Sequence, residues 1–358
     1  MLKTGNKINL QKLESYLISN QQNKTNLVPE GAQKIRISNV INVNSGAMVD
    51  LDFFSLTYNK EGTVFSKELV LKSFHEYKGD LMCARQYQVT AKLWQLGYPV
   101  PKPYFCEVNS DFLGSPFVIT DKERANKARI SDNLECFAST LAMLHNLNTE
   151  EFESNLLKPP QNPLAYGKKC VEQIQNSLNE IKLKGKLKAN FDKGVQWLKS
   201  NLNTAYCPKY CLLHGDYNPG NVLITKTHKM VVLDWDWVEI GDPACDVGYA
   251  YHQLKFFCNQ ENPKSATSIA EQFLLNYSRT FQGQLEERLK FYKIVGALRI
   301  SIMAAQVITN PIVAYKYHGF KALSGFPFIH WPFAAKWLDT KEELSRMNYF
   351  GEFFESAN

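Results

Sequence analysis

The sequence predicts an α+β protein of two lobes, a β-rich N-terminal lobe followed by a larger, mainly α-helical one. Three observations predict it. At 358 residues the chain exceeds the size at which a single hydrophobic core stops growing, so two domains are the expectation. Residues 34–74 carry the alternating apolar pattern of strands, broken by turn residues. After Asp121 the apolar period lengthens to that of helices. The boundary is expected there, giving one lobe over 1–121 and a second over 122–358.

Residues 9–19, NLQKLESYLIS, place Leu10, Leu13, Leu17 and Ile18 at helical spacing, with Asn9 as an N-cap. KIRISNVINV, VDLDFFSLTY and FSKELVLKSF follow, separated by NSGA and NKEGT, whose Gly and Asn suit turns. A three-strand antiparallel meander is expected. A helix fits 80–96, with Asp80 as cap and Gly97 just past its end. YPVPKPYF is extended because Pro99, Pro101 and Pro103 forbid a helix, and SPFVITD (115–121) reads as a strand. In the second lobe, LECFASTLAMLHNL (134–147) puts Leu134, Phe137, Leu141 and Leu144 on one stripe, and CVEQIQNSLNEI and FDKGVQWLKSNL repeat that period. A strand pair around 211–236 interrupts the helices, which resume from about 267. IVGALRISIMAAQVI (294–308) reads as a buried helix despite Arg299.

Composition excludes several classes. Apolar residues make up 44% and charged residues 21%, a globular balance that rules out wholesale disorder. The net charge of +6 is mild and scattered, with no run of five Lys or Arg. It suits an anionic, phosphorylated ligand and argues against nucleic acid. The first residues lack an apolar core of signal-peptide length, and the 294–308 helix falls short of a bilayer span, so no membrane association is expected. Eight Cys show no C-x-x-C pairing, and Cys207 and Cys211 have no His placed to complete a zinc set. Free thiols point to a reducing, cytoplasmic setting. A monomer or weak homodimer is expected.

The chemistry concentrates in CLLHGDYNPGNVLIT (211–225), where apolar runs flank His214, Asp216, Asn218 and Asn221. Downstream lies KMVVLDWDWVEIGDPACD (229–246). NVLIT and MVVLDWD are strand-like and joined by a short polar link, so a hairpin should bring Asn221 toward Asp234. A carboxylate and an amide oxygen converging there are hard ligands suited to Mg²⁺. Asp216, across the same loop, carries a carboxylate able to accept a proton. An Asp-x-Asn-Pro-Gly run alone is ordinary turn chemistry. His214, Gly215, Asp216, Asn221 and Asp234, in order and between strands, favour an active site.

HGDYNPGN followed by VVLDWD and GDPACDVG resembles the aminoglycoside phosphotransferase and choline kinase superfamily, which is similar to protein kinases in fold. The resemblance runs from about residue 35 to 250. It implies an ATP-dependent phosphotransferase, using Mg²⁺, that moves the γ-phosphate to a hydroxyl of a small-molecule substrate. Asp216 is then the catalytic base, Asn221 and Asp234 hold the metal, Asp236 assists there, and His214 and Asp246 brace the loop. Gly215 stands where protein kinases carry Arg, DWD replaces DFG, and no APE element follows, all of which argue against a protein kinase.

In the first lobe, Lys72 shares a strand face with Val70 and Phe74, and the resemblance makes it the phosphate-binding lysine. NVNSGAMVD, around Gly46, resembles the loop that covers the phosphates, and Asp121 and Lys122 fall at the adenine hinge. The sequence departs from the family at Gln86, which occupies the position of the glutamate that pairs with the lysine. A neutral amide is expected to hold Lys72 less firmly, unless Glu76 substitutes. This motivates an alternative, a catalytically weak or inactive nucleotide-binding pseudokinase. The aromatic stretch 314–333 reads as a packed loop and is basic to neutral. That argues against polycationic antibiotics and leaves a neutral or anionic hydroxyl metabolite. The choice of ATP over GTP and the acceptor stay open.

Overall fold

The structure is a computed structural model that describes residues 10–19, 27–43, 49–75, 79–124, 129–181, 183, 185–225, 229–261 and 265–309. Residues group into two compact units. One contains the described residues up to 124 together with 223–236, and the other contains 129–222 and the described residues from 237 onward.

The first unit opens with α1 (Leu10–Ser19), followed by the strands β1 (Gln33–Val43), β2 (Val49–Lys60) and β3 (Thr63–Phe74). Then come α2 (Gly79–Gln95), β4 (Pro103–Glu107) and β5 (Phe117–Asp121). The strands form one antiparallel sheet in the order β1-β2-β3-β5-β4, so the expected meander is present. Its tight corner is Glu61-Gly62, both at positive φ (52° and 81°), between the paired Lys60 and Thr63. Two successive positive φ values match the right-handed twist of the flanking strands and need Gly in at least one place.

Side-chain alternation then sorts the sheet into two faces. Leu13, Tyr16 and Leu17 of α1 cover Phe54, Leu56, Leu69, Leu71, Phe105 and Ile119 on one face. On the other, Cys83 of α2 packs against Phe74 and Val118. Burial of each such side chain contributes about 1.5–3 kcal/mol. Lys72 lies opposite Leu51 and Val118 in the register, between Val70 and Phe74, and so belongs to the α2 face.

Beyond the first sheet come α3 (Leu134–His145), α4 (Ala165–Glu180) and α5 (Gly185–Ser200). The strands β6 (Cys211–Leu213), β7 (Val222–Ile224), β8 (Met230–Val232) and β9 (Glu239–Gly241) follow. β7 pairs with β8 as the expected hairpin, and β6 pairs antiparallel with β9. The chain ends its described part with α6 (Pro243–Glu261), α7 (Ala266–Thr280) and α8 (Glu286–Thr309).

Helices therefore resume at Pro243, well before the expected 267. Asp242 supplies the start signal: its Oδ1 accepts from Ala244 N at 3.0 Å, and Pro243 takes the first helical position, where its missing N–H costs nothing. α6 and α8 approach closely at glycines. A Cβ on Gly248 would lie 2.6 Å from the backbone of Tyr292, and one on Gly296 would lie 3.0 Å from the carbonyl oxygen of Gly248. Among the described residues no helix is long and apolar enough to cross a membrane.

Candidate active site

In the helical unit the HGDYNPGN segment leaves β6 and is tied down by buried groups. The Asp246 carboxylate, on the first turn of α6, accepts from His214 N at 2.7 Å and from Gly215 N at 2.9 Å. His145 of α3 reaches the same carboxylate through Nε2 at 3.3 Å, while its Nδ1 bonds the Tyr277 hydroxyl at 2.8 Å. Burial works to raise the Asp246 carboxyl, but His145 and the loop outweigh it and hold it below the usual carboxylate range. Gly215 sits at φ +80°, and a Cβ there would lie 2.3 Å from the Trp237 carbonyl oxygen. Only glycine fits this kink.

Past the kink, Asp216 N donates to His214 Nδ1 at 3.2 Å, so that ring nitrogen is the acceptor. The Asp216 carboxylate accepts from Asn218 Nδ2 at 3.0 Å and from Asn221 Nδ2 at 2.9 Å. Asn218 Oδ1 caps the short turn at Pro219 by accepting from Gly220 N at 2.8 Å. Turn chemistry and site chemistry are thus the same residues: the Asx contacts that shape the loop also orient the carboxylate. Asn221 spends its amide nitrogen on Asp216, which leaves its oxygen as the side of the amide suited to a hard cation.

In the sheet unit, Lys72 Nζ bonds Asp236 Oδ1 at 2.6 Å and Asp234 Oδ1 at 3.0 Å. The Lys72 side chain is 13% exposed, that of Asp236 16% and that of Asp234 43%. Burial acts to lower the Lys72 pKa, but the two carboxylates win and hold the ammonium above its ordinary value. Burial pushes the Asp236 carboxyl up to about 6, with Lys72 pulling the other way.

Trp235, between the two acids, is buried, donates from Nε1 to Val232 O at 3.2 Å, and meets Tyr98 edge-on at 5.8 Å. Asp234 stands at φ +61°, a left-handed conformation costly for a non-glycine residue and concentrated at functional sites. Half-buried Leu51, Phe53, Val70 and Thr120 share the sheet face of Lys72, and Lys122 Nζ lies 4.5 Å above the Phe53 ring.

Gln86 is not a partner of Lys72: its Oε1 is buried without a hydrogen bond, and it is the neighbouring Arg85 that reaches the segment, donating from Nη2 to Asp236 O at 2.8 Å. Lys72 is held by two carboxylates instead of being loosened by a neutral amide. Gly46, Glu76 and the 314–333 stretch lie outside the described residues. Sequence reasoning also passed over His145, Tyr249 and Arg299. Arg299 left one signal, a lone charge in an otherwise apolar helix.

The profile of the phosphotransferase enzyme family (APH) matches residues 51–292, more than half of the 358-residue chain. The chain belongs to that family. It is 26% identical over 185 residues to acyl-CoA dehydrogenase family member 11 of Rattus norvegicus, a match covering 46% of this chain and 22% of that protein. The chain therefore spans about a fifth of that relative's length. A GDP complex of a point mutant of aminoglycoside 2′-phosphotransferase IIIa superposes with a TM-score of 0.57 at 15% identity, covering 89% of this chain and 95% of that one. Spectinomycin phosphotransferase in complex with ADP and spectinomycin gives 0.51 at 12% identity, with coverages of 89% and 94%. At such identities the likeness shows the fold, which is the α+β, protein-kinase-like fold of these phosphotransferases. Among the described residues no cluster of three or more His, Cys, Asp or Glu could hold a metal alone.

Proposed function

We propose that the protein transfers the γ-phosphoryl group of ATP to a hydroxyl of a small molecule. The observation that carries this is the Asp216 carboxylate, fixed by Asn218 and Asn221 on a loop whose backbone amides are held by Asp246. Asp216 accepts the proton of the acceptor hydroxyl as its oxygen bonds the γ-phosphorus and the bond from that phosphorus to the β–γ bridging oxygen breaks, releasing ADP. Asn221, Asp234 and, in support, Asp236 would be the residues to hold Mg²⁺, because an amide oxygen and a half-exposed carboxylate are each the hard oxygen donor that this ion takes alongside phosphate and water. Bound Mg²⁺ neutralises charge on the nucleotide phosphates. Lys72 binds those phosphates, and Leu51, Phe53 and Val70 offer the apolar strip beside it to the base.

The acceptor is a neutral or anionic hydroxyl compound. Nucleic acid and membranes are not partners, the protein acts as a monomer or weak homodimer, and its setting is the cytoplasm. One observation favours a second reading, a nucleotide-binding pseudokinase: Gln86 stands in place of the family's glutamate with its oxygen unpaired.

A screen of hydroxylated metabolites for stimulated ADP release, run on the wild type and on Asp216→Asn, separates the two. Stimulation by an acceptor that vanishes in the variant supports transfer. Nucleotide binding with equal background release from both proteins across the whole panel favours the pseudokinase.

A further inference from the structure

We infer that Tyr249 is a positioning residue for the catalytic base, its buried hydroxyl donating to the Asp216 carboxylate and fixing that carboxylate's orientation. The inference rests on the reading of Asp216 as the base.

Tyr249 follows Asp246 by three positions on α6, so the two side chains stand on one helix face. On that face Asp246 takes the backbone amides of His214 and Gly215, which sets Tyr249, one turn further on, beside the same loop. The Tyr249 side chain is buried, 3% exposed, where an unsatisfied hydroxyl is costly. One helical turn on, Gln253 Nε2 donates to the Tyr249 hydroxyl at 2.7 Å. An amide nitrogen can only donate, so the phenol oxygen is the acceptor in that contact and its single proton is left for Asp216. Arg299 of α8 holds ring and loop together, with its guanidinium 5.0 Å over the Tyr249 ring and Nη2 donating to Gly215 O at 3.1 Å.

Asn218 and Asn221, which also donate to the Asp216 carboxylate, belong to the same loop and move with it. Tyr249 belongs to a helix. It is the contact that references the base to a rigid element, which a transfer depending mostly on alignment requires. The charge of Asp216 and burial both keep the phenol protonated.

The test is a four-protein cycle of wild type, Tyr249→Phe, Asp216→Asn and the double variant, assayed for turnover of Mg·ATP alone with water as acceptor. Tyr249→Phe keeps the ring under Arg299. It is expected to lower kcat about 10- to 100-fold with the nucleotide KM within about twofold, and to add nothing in the D216N background. Denaturant unfolding of the same four proteins gives a readout independent of turnover, with a coupling of about tenfold in the unfolding equilibrium constant. Tyr249→Phe with unchanged kcat while Asp216→Asn is inactive, or additive effects in both cycles, overturns the positioning role alone. Undiminished turnover in Asp216→Asn overturns the base assignment and this inference with it.

Discussion

Replacing Asp246 by Asn isolates the brace beneath the loop. The substitution preserves shape and keeps one oxygen, which still serves one of the two loop amides. The other oxygen becomes an NH₂ facing His214 N, formerly 2.7 Å away, and His145 Nε2, formerly 3.3 Å away. A donor is thus set against a buried backbone donor, and a charge-assisted hydrogen bond is lost there. At about 1.5–3 kcal/mol for each bond to a charged group, plus the cost of the orphaned amide, the loss comes to about 3–5 kcal/mol. For a protein of this size that lowers Tm by roughly 4–7 °C. Urea unfolding followed by circular dichroism, with a thermal scan alongside, measures it. A loss below about 1 kcal/mol would show that Asp246 does not carry the loop.

Two further perturbations test neighbouring parts of the account. Gly215→Ala forces a Cβ to within 2.3 Å of a backbone oxygen at φ +80°, so a destabilisation above about 3 kcal/mol is expected in chemical denaturation, and a neutral effect would contradict the kink. His252, buried on α6 and donating from Nε2 to Lys293 O at 2.8 Å, has its pKa lowered to about 3 by burial, with Lys293 and Lys255 adding to the effect. Because the folded state refuses a proton that the unfolded chain takes at its ordinary value of 6.5, the stability His252 contributes is complete above that pH. It is lost as pH falls from there toward 3, by about 1.4 kcal/mol per pH unit. Stability measured between pH 7 and 5 should decline less steeply in His252→Gln, and parallel profiles would rule the histidine out.

The strands were legible because alternation is local. Leu69, Leu71 and Ser73 separate from Val70, Lys72 and Phe74 in the sequence as they do in the sheet. The loop was legible because Asx turn chemistry and carboxylate orientation use the same few positions. α6 was not, because Val247, Tyr249, Ala250, Tyr251 and Leu254 are all buried and a helix covered all round shows no amphipathic period. Its Asp242-Pro243 start was a usable signal. The partners of Lys72 lie 162 and 164 residues away, beyond anything local spacing can name, whereas Gln86 is near in the chain. Tyr249 and Arg299 were hidden for the same reason: each meets the loop only through the packing of helices distant in the chain.

The central claim is that Asp216 and Asp234 carry phosphoryl transfer to a small-molecule hydroxyl. The most direct measurement follows label from γ-³²P ATP, with Mg²⁺, into an acceptor identified by stimulated ADP release, for wild type, Asp216→Asn and Asp234→Ala. Labelled product from the wild type and a loss of at least about 100-fold in each variant is the predicted result. Labelled product formed at near-normal rate by either variant would contradict the account.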